Sequence, residues 1–237
     1  MENWIRMTSL IKLAKEGKLE KTAAKPKLPI KVDGVSSETL DVYKIPLEYL
    51  YYNDKNGRIA TGISQYQDEL HPVNDQEDPQ YNSFVAKLIE QDNPSALKRT
   101  EKSIQESGQQ VYGYVLDDGR IVDGNRRFTA LRNIRKSTGR TVYFEAVVLP
   151  FSYDNTTEQA KIKKLELAIQ MGVEERQNYD PVDLAVDIYQ TTSGNDPIMT
   201  QADYAADSHM RATEVKKYYD GCCIYEEVPG VYWGPRE

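Results

Sequence analysis

The sequence predicts an α+β domain over residues 36–150, followed by an all-α domain over 151–225. Three observations carry this. Runs rich in β-branched and aromatic residues, such as TVYFEAVVLP at 141–150, stop at Pro150. Helical patterns with glycine stops are interleaved with those runs before Pro150, and only helical patterns follow it. No internal repeat is visible, so a repeat architecture is set aside.

The elements follow in order. Residues 1–35 read as a basic N-terminal arm: a short helix within 3–20 sets Ile5, Leu10, Ile11 and Leu13 among lysines, and KTAAKPKLPIK then forms a tether. From Asp41, DVYKIPLEYLYYND is strand-like and is ended by a proline. Asn56-Gly57 marks a tight turn, and the acidic, proline-bearing stretch 68–80 reads as a surface loop. Helices are expected at 81–91 and 95–107, the second stopped by Gly108. A strand at 111–116, an Asp118-Gly119 turn and a strand at 120–122 make a hairpin that hands over to a helix opening near Asn125. Beyond Pro150 the pattern predicts helices near 155–171, 180–191, 200–207 and 211–219, with a tail at 226–237.

Bulk properties exclude several classes. The 237 residues are 39% hydrophobic and 28% charged, which suits a globular protein with its own core. No apolar run approaches the ~18 residues of a membrane span, and no secretory leader is visible, so a cytoplasmic protein without membrane partners is expected. The two cysteines, Cys222 and Cys223, are adjacent. That spacing suits neither an ordinary disulfide nor a zinc site, and reduced thiols are predicted. The net charge of −7 is unevenly spread. Residues 1–31 carry eight basic and three acidic side chains, a net of +5, so the other 206 residues sum to −12. Non-specific affinity for nucleic acid comes mostly from neutralised phosphates, so any DNA contact must rest on local basic patches.

The most informative stretch is Asp123-Gly124-Asn125-Arg126-Arg127, where a strand passes into a helix. The first N–H groups of a helix lack internal partners, and its dipole places partial positive charge there. Gly124 allows close backbone approach, and two arginines add planar donors that suit phosphate oxygens. Asp123 is read as the N-cap of that helix.

Residues 97–132 around this turn resemble the ParB N-terminal domain, in which a helix of the form L-x-x-S-I-x-x-x-G leads through a strand and hairpin to a G-E-R-R-x-x-A box. Ser103, Ile104 and Gly108 match the helix, and Gly124, Arg126, Arg127 and Ala130 match the box. Upstream, YNDKNGRI resembles the family's N-P-x-x-x-R box and carries over Asn53 and Arg58. Downstream, RQNYDPVDLAVDIY resembles the R-x-x-L-x-P-x-E-x-A segment and carries over Arg176, Tyr179, Pro181, Asp183 and Ala185. The resemblance spans about 40–190. It implies a ParB/sulfiredoxin-like fold whose nucleotide- or phosphate-binding residues are Asn53, Arg58, Gly124, Asn125, Arg126, Arg127 and Arg176, with CTP or another nucleotide as ligand. The box glutamate is Asn125 here, and the family's magnesium-holding Glu-Asn pair falls at Gly172-Val173, so magnesium is not expected.

Sulfiredoxins and free-serine kinases share that fold. The sulfiredoxin reaction needs a cysteine in the phosphate-binding turn, which this turn lacks. No catalytic residue is assigned, although a nucleotide hydrolase or small-molecule kinase stays open as an alternative. So does an interaction protein with a vestigial pocket.

A helix-turn-helix is predicted at 199–219, MTQADYAADSHMRATEVKKYY. Thr200 caps the first helix, Tyr204 and Ala205 face the second, and His209 takes the turn position usually held by glycine. Met210, Val215 and Tyr218 form the inner face of the second helix. Thr200, Gln201, Arg211, Thr213, Lys216 and Lys217 are the candidate DNA contacts. The resemblance thus implies a DNA-binding protein of partition or regulation in plasmids, phages or chromosomes, of the sort carried by mobile elements. Partition proteins continue into a C-terminal dimerisation domain, whereas this sequence stops at GVYWGPRE; a truncation, a stand-alone relative or a homodimer through another surface all remain open. Tyr49, Tyr51 and Tyr52 are read as packing aromatics in a half-buried strand rather than base-stacking groups.

Overall fold

Strand and helix signals of this kind build a five-stranded sheet and a separate group of helices in the computed structural model of the chain. The structure describes residues 9–35, 39–55, 59, 62–63, 79–153, 155–172 and 181–226. The fold class is α+β, as the sequence predicts. The chain divides into a sheet unit (Met1–Asn53 with Asp75–Asn155) and a helical unit (Asp54–Asn74 with Thr156–Glu237).

The sheet runs β1 (Glu20–Lys21), β2 (Val42–Pro46), β5 (Tyr143–Leu149), β3 (Gly113–Leu116), β4 (Ile121–Asp123). β2 pairs antiparallel with β5, Ile45 opposite Phe144, while β3 lies parallel to β5, with Val115 beside Val148. β5 is central because its residues bury on both faces: Phe144, Ala146 and Val147 are fully enclosed. Beyond β4, Tyr51 adds one parallel bridge to Arg120, accepting from Ile121 and donating to Gly119. That bridge brings the residues after the short 3-10 turn at Leu47–Tyr49 alongside the hairpin.

Three longer helices belong to the same unit. α2 (Pro79–Asp92) and α3 (Pro94–Ser107) are separated by Asn93, whose side-chain oxygen accepts from the Ala96 N–H at 2.9 Å while Pro94 takes the first helical position. Gly108 closes α3 at φ +74°, the predicted stop. α4 (Asn125–Thr138) lies between two left-handed glycines, Gly124 and Gly139. Its Phe128 meets Phe144 of the sheet at 6.1 Å and Tyr52 at 4.9 Å, both edge-on. Fully burying one such ring is worth about 1.5–3 kcal/mol, so this cluster anchors α4. Tyr51 and Tyr52 are buried, in keeping with the packing reading.

The reading of residues 1–35 as an arm is corrected over 9–21. α1 (Leu10–Lys15) is capped by Ser9, and Leu10, Leu13 and Leu19 are buried. The backbone N–H of Leu10 donates to the Asp117 carbonyl at 2.8 Å, while Ser9 Oγ and the Ile11 N–H both donate to the Asp117 carboxylate. β1 then pairs with the edge of β2. Three leucines supply burial that outweighs the lysines beside them, whose heads stay in water.

In the helical unit, α5 (Thr156–Gly172), α6 (Pro181–Thr192), α7 (Gln201–Asp207) and α8 (Ala212–Glu226) enclose Leu167, Leu184, Ile188, Met199, Tyr204 and Val215. α8 continues past the expected end at 219. Charge is buried here too: Lys163 Nζ lies 2.6 Å from Asp187 Oδ1 and 3.7 Å from Glu166 Oε2, and the Tyr204 hydroxyl donates to Asp187 Oδ2 at 2.7 Å. This set ties α5, α6 and α7 together. Among the described residues no helix is long and apolar enough to cross a membrane, and neither Cys222 nor Cys223 is in a disulfide.

Candidate functional site

The turn from β4 into α4 begins with a glycine because nothing else fits. Gly124 sits at φ +109°, ψ +18°, and a Cβ there would stand 2.8 Å from the Phe144 ring and 3.2 Å from the Arg127 guanidinium. The sequence reading assigned this glycine to ligand approach and the N-cap to Asp123. The structure places Gly124 itself at the N-cap, with no side-chain cap bond, and turns its bare face to Phe144 and Arg127. Asp123 instead ends β4 and accepts from Arg127 Nη2 at 2.5 Å.

The two box arginines therefore differ. Arg127 folds back on Asp123, is largely enclosed, and its Nε makes no hydrogen bond among the described residues. Arg126 stands 3.6 Å from Asp92 of α2 and is 31% exposed, a loose contact that solvent screens. Next to this pair, burial pushes the Tyr114 hydroxyl well above the ordinary tyrosine range, with Tyr112 and Asp123 adding to the shift. It stays protonated at any physiological pH.

Asn53 and Asn125, both expected at the site, do meet. The Asn53 N–H donates to Asn125 Oδ1 at 3.4 Å, and Asn125 Nδ2 donates back to the Asn53 carbonyl at 3.2 Å. Only a carboxamide can do both; the glutamate of the family box cannot donate. Asn53 Oδ1 in turn accepts from Arg120 Nη2 at 3.1 Å and Nε at 3.3 Å. Arg120 is 3% exposed and lies 4.1 Å over the Tyr153 ring. Sequence reasoning missed Arg120, because its partners stand far along the chain and its place after a hairpin turn suggests nothing beyond the hairpin. Arg58 and Arg176 lie outside the described residues, as do the Asn56-Gly57 turn, residues 68–78 and the tail beyond Glu226.

The second candidate surface is the pair α7 and α8. Thr200 Oγ1 accepts from the Asp203 N–H at 3.1 Å and donates to the Asp203 carboxylate at 2.7 Å, closing the start of α7. His209 adopts φ +55°, the left-handed turn expected of it. Tyr204, Ala205 and Val215 are buried between the helices, with Met210 and Tyr218 against them. Arg211, just before α8, and Thr213, Lys216 and Lys217 on it are exposed, and Gln201 is half-buried at the start of α7. Lys216 pairs with Asp220 at 3.0 Å, one turn on.

No family model matches the chain, and no curated protein matches it. Among solved structures it is similar to a Pnob8-like ParB-N domain, with a TM-score of 0.41 and 12% identity over 82% of this chain and 77% of that one.

Proposed function

We propose that this chain binds duplex DNA through α7 and α8, with α8 as the helix that enters the major groove. The observation that supports the reading most is the division of α8: its inner face is buried against α7 through a left-handed histidine turn, while Arg211, Thr213, Lys216 and Lys217 share the exposed surface. A helix set on a short partner, with cationic and hydroxyl side chains outward, suits phosphates and base edges. Glu214 and Asp220 on the same helix restrict the cationic area, so a modest, strongly salt-dependent affinity is expected.

The test is fluorescence anisotropy of a labelled duplex with the full chain across a salt series. Binding at about 50 mM salt, falling with a slope of roughly −2 to −4 in log K against log salt, agrees with two to four phosphate contacts. The double variant Lys216→Glu/Lys217→Glu is expected to bind at least about tenfold more weakly. No binding by the parent chain at that salt sinks the reading.

A second reading concerns the α4 turn. Its helix start has no side-chain cap, and the Arg126 side chain is partly exposed beside it. Both features favour a phosphate of a nucleotide such as CTP, with Arg127 kept for the architecture by Asp123. Thermal shift with CTP and ATP, with and without magnesium, tests it: stabilisation that disappears in Arg126→Gln supports the site, and none at saturating concentrations rejects it. Product formation in the same tubes distinguishes a hydrolase or kinase from a binding module.

A further inference from the structure

The stretch from Ser9 to Lys31, docked on the sheet unit through α1 and β1, has a charge opposite to that of the whole chain. It holds seven lysines and two acids in a protein of net charge −7. Each of those acids is taken by one lysine: Glu16 by Lys18 at 2.7 Å, and Glu20 by Lys44 of β2 at 2.7 Å. Lys12, Lys15, Lys27 and Lys31 are exposed and form no ion pair among the described residues.

The fold gathers several of these lysines. Lys21, 2.9 Å away, and Lys25 share the Asp41 carboxylate, and Lys15 of α1 lines a groove with Asp41 and Tyr43. Lys12 precedes Lys15 by three residues, on the same side of α1. The Thr22 N–H donates to the Val42 carbonyl at 2.8 Å and the Leu40 N–H to the Pro26 carbonyl at 2.9 Å. These bonds hold 22–26 against 40–42 and set Lys25 and Lys27 on either side of the buried Pro26. Three lysines around one carboxylate leave two positive charges at the groove. At about 230 Å³ it is smaller than the roughly 300–1,000 Å³ of small-molecule sites, and lysines continue beyond it, which matches an extended anion.

Side-chain chemistry narrows the partner. Leu10, Leu13 and Leu19 are buried, and none of the exposed large hydrophobic residues falls between 9 and 31, so no apolar face is left to enter a lipid surface. The stretch has no arginine and no aromatic residue, the groups in which protein interfaces are enriched. Ammonium groups are point charges that meet phosphates without demanding a shape.

We infer that this lysine face of the sheet unit binds the phosphate backbone of duplex DNA, without reading its bases. The face belongs to the sheet unit alone and stands whether or not α8 takes DNA. Acetylation of the full chain by an N-hydroxysuccinimide ester, read lysine by lysine in a mass spectrometer with and without a duplex, tests it. At about 50 mM salt, Lys12, Lys15 and Lys27 are expected to react at least about twofold more slowly when duplex is present, and Lys98 and Lys102 of α3 at an unchanged rate. Asp41→Asn removes the acid that Lys21 and Lys25 share. Half-protection is then expected at about threefold less duplex, a gain that a purely structural role for Asp41 would not produce. Protection of Lys12, Lys15 and Lys27 without Lys216 and Lys217 supports this face and counts against α8. Protection confined to Lys216 and Lys217 overturns the inference and leaves the α8 reading standing. No protection at any lysine, equal protection by poly-glutamate, or an Asp41→Asn chain that needs as much duplex as the parent also overturns it.

Discussion

The sheet unit and the helical unit both bury a cation, and they hold it by different means. In the sheet unit the Arg120 guanidinium lies against a carboxamide oxygen of Asn53 and over the Tyr153 ring. In the helical unit Lys163 is matched to the Asp187 carboxylate, which Tyr204 steadies from its other oxygen. A guanidinium is a planar fork that can stack on a ring and bond an amide oxygen at once, whereas an ammonium is a compact point charge, met here by a carboxylate at 2.6 Å. Charge matching at Asp187 is the feature to test in the helical unit, and the close fit around the Gly124 turn is the one to test in the sheet unit.

The largest effect expected from that contrast is at Asp187. Its replacement by alanine leaves Lys163 buried beside the more distant Glu166 and releases the Tyr204 hydroxyl; a loss of about 3–5 kcal/mol in urea unfolding is expected. A loss below about 1 kcal/mol would break the comparison. Next is Gly124→Ala, which meets both the left-handed backbone and the Phe144 ring, for about 2–3 kcal/mol. Gly139→Ala is the control that sharpens it: φ is +67° there, but nothing lies within 4 Å, so about 1 kcal/mol is expected. Equal losses at the two glycines would mean that the Phe144 contact contributes nothing.

The smallest effect is at the sheet's edge. Asp41 is held below the ordinary carboxylate range by hydrogen bonds from Lys25, first, and Lys21, which stands 2.9 Å away. A depressed folded pKa stabilises the fold above the ordinary carboxylate range, and that contribution is lost as pH falls through the folded value. Asp41→Asn is therefore expected to lower Tm slightly at neutral pH and to flatten the acid limb, the two curves converging as pH falls through the folded pKa. An unchanged acid limb would show that this exposed cluster is fully screened.

Much of the fold could be read from residue order alone, because its boundaries are set by local chemistry. Asn93-Pro94, Gly108, Gly139 and Thr200 each start or stop a helix through contacts within four residues. Asn53 and Asn125 were assigned to one site through a family resemblance, whereas their reciprocal hydrogen bonds come from the structure alone. What stayed hidden was set by distant partners. A two-residue strand such as Glu20–Lys21, both exposed, carries no alternation, and only its pairing with β2 reveals it. Arg126 and Arg127 read as twins, yet the carboxylates within reach, Asp92 and Asp123, give them different environments. The buried hydroxyl pair of Tyr52 and Thr129 joins residues 77 apart, beyond what periodicity reports.

The clip between Ser9–Ile11 and Asp117 joins positions more than a hundred residues apart. On a ribosome the opening helix has no docking surface until the hairpin has been synthesised, and at about 5–20 residues per second that is a wait of several seconds. Throughout that interval its leucines are open to chaperones. This helix, made before the hairpin, is thus secured only after it, and closing so long a loop is expected to limit the rate at which the sheet unit matures.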